Sequence, residues 1–245
     1  MTVKKKPIIS EPLQLNVSNN EIYLDLLAYS KLHPEIIIQR MTYSFVELAY
    51  QWNVLSKGKF DPINFYKGTD LYIFDLSRYQ IENDHFHITL DMISQMSGII
   101  QEDLIVDPRI LEFGGGIGQF SIHCARASLP VCYFDLDSPL KDYAFWRFVR
   151  NNVTIFFEDE KCLSRKWDFV NCMDVLEHIA DFKKVINLLF KNAKYVFVNP
   201  DDIMFADTNP MYPMHISKFK DYFLTKFTKV EGYLYKSNWQ KQKAV

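Results

Sequence analysis

Ile110-Leu111-Glu112-Phe113-Gly114-Gly115-Gly116-Ile117-Gly118-Gln119-Phe120 contains half of the eight glycines in a chain of 245 residues. An apolar run that ends in an acid, tightens into glycines and reopens with helical periodicity reads as a strand turning into a helix. Glycine lets the backbone take positive φ and come close to a bound group, and the first turn of a helix carries N–H groups without intrahelical partners. A ligand site is therefore expected at this turn, beginning at Glu112.

Downstream, short apolar runs alternate with helical patterns. Strands are predicted at Ile110-Phe113, Val131-Phe134, Val153-Phe157, Phe169-Cys172 and Tyr195-Val198, with helices near 118–128, 139–151 and 181–191. That rhythm implies a parallel sheet covered on both faces. A helix near Ser217-Lys226 then leads to Phe227-Val230, a tight turn at Glu231-Gly232 and Tyr233-Tyr235, an antiparallel hairpin closing the sheet.

Upstream the pattern is helical. Residues 1–19 are polar and proline-punctuated and read as a flexible N-terminal segment. Asn20 caps a helix through Leu32, and Pro34 opens a second to about Leu55, on which Ile37, Met41, Phe45, Leu48, Trp52 and Leu55 share one face. Lys57-Gly58-Lys59 and Asp61-Pro62 read as a break, Thr69 as the cap of a helix through Tyr79, and His85 to Met96 as a helix ending at Gly98. Three parts follow: the segment 1–19, a helical subdomain over 20–105 and an α/β core over 106–245.

Composition narrows the partners. A formal net charge of -2 lacks the basic excess of a general nucleic-acid binder. No apolar stretch reaches the roughly 18 residues of a membrane span, and Lys4-Lys5-Lys6 precedes no signal-peptide core. Cys124, Cys132, Cys162 and Cys172 form no C-x-x-C pair and read as reduced core thiols, so a cytoplasmic setting is expected. His33, His85, His87 and His123 have no partners at ligand spacing, and no metal is inferred.

Spacing sorts the ligands a glycine turn can hold. A dinucleotide fingerprint needs a glycine where Gln119 stands, and no G-x-x-x-x-G-K-[ST] phosphate loop occurs. The string present is acid-x-Gly-x-Gly-x-Gly, from Glu112 to Gly118. With Val131-Cys132-Tyr133-Phe134-Asp135-Leu136-Asp137, Trp167-Asp168-Phe169-Val170 and Asp174-Val175-Leu176-Glu177-His178, it resembles the class I S-adenosylmethionine-dependent methyltransferases, in particular the branch acting on small molecules. The resemblance covers about residues 105–236 and implies a Rossmann-like α/β fold. Its sheet would be seven-stranded and mostly parallel, with the antiparallel C-terminal hairpin and an N-terminal helical lid.

The resemblance also implies roles. Gly114, Gly116 and Gly118 pass under the amino-acid and ribose portions of S-adenosylmethionine, Glu112 accepts from its ammonium, and Asp135 accepts from the ribose hydroxyls, where a carboxylate would repel a phosphate. Asp159, in the run Glu158-Asp159-Glu160, is assigned to adenine, and Cys172 and Met173 to the methionine portion. Asp137 reads as a helix cap ahead of Pro139.

Methyl transfer from a sulfonium requires alignment, and a base only where the acceptor arrives protonated. His178 and His215 are the candidate bases, and Tyr66, Tyr72 and Tyr79 the candidate acceptor walls. The expected activity is methylation of oxygen or nitrogen in a small molecule. A peptide or protein acceptor, a non-catalytic cofactor-binding scaffold and self-association as a homodimer stay open. An exocyclic-amine methyltransferase of nucleic acid would carry Asn/Asp-Pro-Pro-aromatic where this chain has Asn171-Cys172-Met173-Asp174.

Overall fold

The computed structural model describes residues 20–56, 62–82, 85–200 and 219–239. Among these, five helices precede the first strand. In α1 (Glu21–Ser30) the Asn20 side chain accepts from the N–H groups of Ile22 at 3.0 Å and Tyr23 at 3.4 Å, which satisfies two donors left open at a helix start. α2 (Pro34–Ser56) buries Ile37, Met41, Leu48 and Trp52 of the expected stripe, with Phe45 half-buried and the Leu55 side chain outside the described part of the structure.

α3 (Pro62–Gly68) stands where the sequence pattern suggested only a break. Proline has no N–H to lose at the first helical position, so Asp61-Pro62 starts a helix as readily as it stops one. α4 (Leu71–Glu82) begins where Thr69 Oγ1 accepts from the N–H of Leu71 at 3.2 Å. α5 (His85–Glu102) runs through Gly98 instead of ending there. A helical glycine costs about 1 kcal/mol relative to alanine, less than burial of Met92, Ile93 and Met96 returns, with Ile99 and Ile100 against the same cluster.

The strands are β1 (Ile110–Phe113), β2 (Val131–Phe134), β3 (Phe156–Phe157), β4 (Trp167–Asn171), β5 (Ala193–Phe197), β6 (Phe227–Glu231) and β7 (Leu234–Ser237). They form one seven-stranded sheet of order β3-β2-β1-β4-β5-β7-β6. β1 to β5 are parallel, and β7 runs antiparallel to both β5 and β6. The mostly parallel sheet with its antiparallel hairpin is thus present. β3 is shorter than the predicted Val153-Phe157. It lies at the sheet edge, where Phe156 and Phe157 are 58% and 43% exposed and only β2 is available to pair.

The helices α6 (Gln119–Arg126), α7 (Pro139–Arg150), α8 (Phe182–Asn192) and α9 (Phe219–Leu224) complete the layers. Strand alternation divides the core. Leu111, Phe113, Val170 and Val196 meet Ile186, Leu189 and Phe190 of α8 and Phe219 and Phe223 of α9, while Ile110, Phe169 and Tyr195 meet Met92 and Met96 of α5 and Phe120 of α6. A third cluster joins α1, α2, α3 and α4 to Ile117 of the glycine turn and to Leu140 and Tyr143 of α7. Among the described residues no helix is long and apolar enough to cross a membrane.

Candidate active site

β1 lies between β2 and β4, so the connection leaving β1 runs toward β2 while that leaving β4 runs toward β5, and the two diverge and open a crevice at the carboxyl ends of the strands. The glycine turn occupies this point. The N–H groups of Gly114 and Gly115 donate to the carbonyl of Phe134 at 2.8 and 3.2 Å, and Tyr133 Oη donates to the carbonyl of Gly116 at 2.7 Å. Two glycines are required in different ways. Gly116 has φ +55° and faces Leu76 of α4, whose methyl a Cβ would meet at 3.2 Å; at Gly118, φ +72°, a Cβ would meet the Phe148 ring at 2.4 Å.

Two carboxyls converge here. Asp135, just past β2, accepts from the N–H of Gly116 through Oδ2 and from that of Leu136 through Oδ1, both at 2.7 Å. Burial pushes its pKa up to about 6. Glu112, at the end of β1, is 4% exposed and accepts from the N–H of Ser121 at 3.1 Å and from the Ser121 hydroxyl. Burial foremost, with the field of Asp135 adding to it, pushes Glu112 up to about 8. Asp135, ionised above about pH 6, suits a ligand bearing hydroxyls and opposes a phosphate, and a cation placed against Glu112 would favour its ionised form. S-adenosylmethionine fits that chemistry, with Asp135, Glu112 and the backbone of Gly114, Gly116 and Gly118 as the groups to hold it.

Cys172 is buried just past β4, its N–H donating to Phe197 at 3.0 Å, and burial raises its thiol well above the usual range. The N–H of the half-buried Met173 donates to Asn171 Oδ1 at 3.2 Å. Asp159 lies on the surface. Its Oδ1 accepts from the N–H of Lys161 at 2.8 Å and its Oδ2 lies 3.5 Å from Arg165, while Glu158 alongside is turned inward. An open hollow beyond Asp135 is lined by Ser138, Pro139, Phe145 and Phe157.

The aromatic residues of α3 and α4 reach the same edge. Tyr66 Oη is 2.7 Å from His178 Nδ1, Tyr72 Oη donates to Tyr66 Oη at 3.3 Å, and Tyr79 Oη donates to Asp174 Oδ2 at 3.4 Å. Tyr66 and Tyr72 also stack edge-on with Phe65, so their rings belong to a core, while the Tyr66 hydroxyl meets the turn after β4. His215 lies outside the described residues. Among the described residues no cluster of three or more His, Cys, Asp or Glu side chains is arranged to hold a metal.

Some contacts had no sequence signal. Val175 faces Gly114, where a Cβ would meet its methyls at 2.8 Å, and Leu76 faces Gly116. Both read as ordinary apolar residues of helix or turn. Ser138, not Asp137, caps α7, accepting from the N–H of Lys141 at 3.4 Å; Asp137 pairs with Lys141 Nζ at 2.6 Å. Serine and aspartate are about equally good caps, and the extended backbone at Ser138 decides between neighbours.

A glycine turn and a strand-end acid thus meet at the switch point of a doubly covered parallel sheet. Residues 89–208, just under half of the chain, match a family model described as a methyltransferase domain, in keeping with the resemblance to the class I S-adenosylmethionine-dependent methyltransferases. The chain is 26% identical over 170 residues to the ubiquinone biosynthesis O-methyltransferase of Colwellia psychrerythraea, a match spanning 67% of this chain and 61% of that protein, less than two thirds of its length. Similar solved structures include monomeric WbdD, with 14% identity over 61% of this chain and 40% of that one at a TM-score of 0.48. Another is a S-adenosylmethionine-dependent methyltransferase from Clostridium acetobutylicum, with 17% identity, 48% and 56% coverage and a TM-score of 0.36.

Proposed function

We propose that this protein methylates a hydroxyl oxygen of a small, largely apolar molecule held between the sheet edge and helices α3 and α4. In this reading residues 20–105 are a lid and acceptor-binding subdomain and 106–245 the cofactor-binding core. When bound, the cofactor supplies a methyl group on a sulfonium, open to direct displacement.

The observation that carries the reading is the 2.7 Å contact between Tyr66 Oη and His178 Nδ1. It joins a residue of the helical part to a histidine just beyond β4, beside Val175, which touches the glycine turn. A hydroxyl must lose a proton as it is methylated, and His178 is assigned to take it. His215 is the second candidate. Tyr66, Tyr72 and Tyr79 wall the acceptor, and Tyr66 orients the His178 ring. Asp135 and Glu112 hold the ribose and ammonium ends of the cofactor, Cys172 and Met173 lie along its methionine portion, and Asp159, two residues beyond Phe157, serves the adenine. Alignment supplies most of the acceleration, roughly 7–11 kcal/mol where reacting groups are well oriented. The relative named an O-methyltransferase supports oxygen over nitrogen as the acceptor atom.

Incubation with methyl-labelled cofactor, a panel of small phenols and alcohols, and cell extract tests this. S-adenosylhomocysteine and a labelled small molecule with a base-stable ether are expected. Label in polypeptide would overturn the acceptor class, and binding without S-adenosylhomocysteine would make the protein a scaffold.

A further inference from the structure

Arg147 of α7 is fully buried, and each nitrogen of its guanidinium donates to a different part of the protein. Nε donates to Asp25 Oδ2 of α1 at 2.9 Å, Nη1 to the carbonyl of Ile117 at 2.8 Å, and Nη2 to Gln119 Oε1 at 2.7 Å. Ile117 sits between Gly116 and Gly118, both in the left-handed region. In an unbroken helix its carbonyl would accept from the N–H of Ser121, but that N–H goes to Glu112. Arg147 takes the carbonyl instead. On the other side Asp25, 4% exposed, also accepts from Arg150 Nε at 2.8 Å and Asn151 Nδ2 at 3.1 Å. Gln119 Nε2 donates to Glu21 Oε1 at 2.8 Å, so α1 reaches the turn through two acids.

A buried ion pair of this kind is weak support for stability, because an apolar replacement of similar volume often folds as well. Its geometric content is larger. The planar fork sets one peptide of the glycine turn relative to α1 and α7 at once. We propose that Asp25 and Arg147 are positioning residues for the cofactor, a strut from the first helix that holds the peptide between Gly116 and Gly118 in its ligand-ready orientation. This rests on the cofactor reading of the turn and adds to it residues that touch no cofactor.

The experiment compares Asp25→Asn, Asp25→Ala, Arg147→Lys and Arg150→Ala with the wild type. It measures S-adenosylhomocysteine binding by calorimetry and amide hydrogen exchange of residues 114–121 in the ligand-free protein. Asp25→Ala and Arg147→Lys are expected to weaken binding at least tenfold and to speed exchange in the turn, and Asp25→Asn to do both less. Arg150→Ala also removes an ion pair to Asp25 but leaves the turn alone, so its binding stays within twofold. If Asp25→Asn and Arg147→Lys fold and match Arg150→Ala in both readouts, the strut is overturned. Faster exchange in the turn without any wild-type affinity for S-adenosylhomocysteine would instead overturn the cofactor reading on which it depends.

Discussion

The phenol oxygen of Tyr66 lies 2.7 Å from Nδ1 of His178, across 112 residues of sequence. Neighbouring acids and burial keep Tyr66 a neutral phenol by raising its pKa, burial most of all. A neutral hydroxyl beside an imidazole steadies the ring without competing for charge. His178→Ala is therefore expected to lower kcat by about 10²- to 10⁴-fold, the usual range for a positioned acid–base group, and Tyr66→Phe by a smaller factor. Affinity for S-adenosylhomocysteine stays within twofold in both. Turnover and affinity falling together would place these residues in the cofactor site instead.

Asp135 serves two backbone N–H groups at 2.7 Å, one of them from the glycine turn. Hydrogen bonds to charged groups contribute roughly 1.5–3 kcal/mol each. Asp135→Ala is expected to weaken cofactor binding at least tenfold by calorimetry, through the lost ribose acceptor and the released Gly116 N–H. Unchanged affinity would remove the ribose assignment.

Gly118→Ala adds a methyl 2.4 Å from the Phe148 ring at a position with φ +72°. Left-handed backbone costs an alanine about 1 kcal/mol or more, and overpacking adds roughly 1–3 kcal/mol. Urea denaturation should show a loss within that combined range, and Phe148→Ala should not rescue it, because emptying that site costs more than it relieves. Wild-type stability for Gly118→Ala would mean that the turn relaxes freely.

Glu112 titrates at about 8 in the fold against an ordinary 4.5. Between those values the folded chain keeps a proton that the unfolded chain has released, so stability falls as pH rises through the window and levels off above about 8. Asp135, at about 6, adds to the slope only in the lower part. Glu112→Gln retains an acceptor for Ser121 and cannot ionise. Denaturation at about pH 6.5 and 8.5 should show the wild type losing stability while Glu112→Gln stays level; equal slopes would show that Glu112 is ionised throughout.

Particular residues mark what was legible in one dimension. Ile110 to Gly118 announced strand, turn and helix because period and glycine placement are local properties, and Asn20, Pro34 and Thr69 announced helix starts for the same reason. The mostly parallel sheet with its antiparallel hairpin also follows from the alternation of elements, whereas the strand order came from the tertiary structure. Errors fell where two local signals compete. Asp61-Pro62 both breaks and begins helices, Gly98 is tolerated inside a well-buried helix, and β3 shrank because an edge strand has one partner.

Contacts between distant elements left no such trace. Leu76 against Gly116, Val175 against Gly114, Tyr66 beside His178, and Arg147 joining Asp25 to Ile117 each depend on how helices before the sheet settle over its carboxyl edge. The pattern of apolar and glycine residues along this chain was enough for its architecture and for the glycine turn at its crevice, because both arise from nearest-neighbour preferences repeated in order. Which side chains face one another across the crevice was decided only by close-packing in three dimensions, where a buried arginine or tyrosine takes whatever partner its cavity presents and its position in sequence says nothing of which.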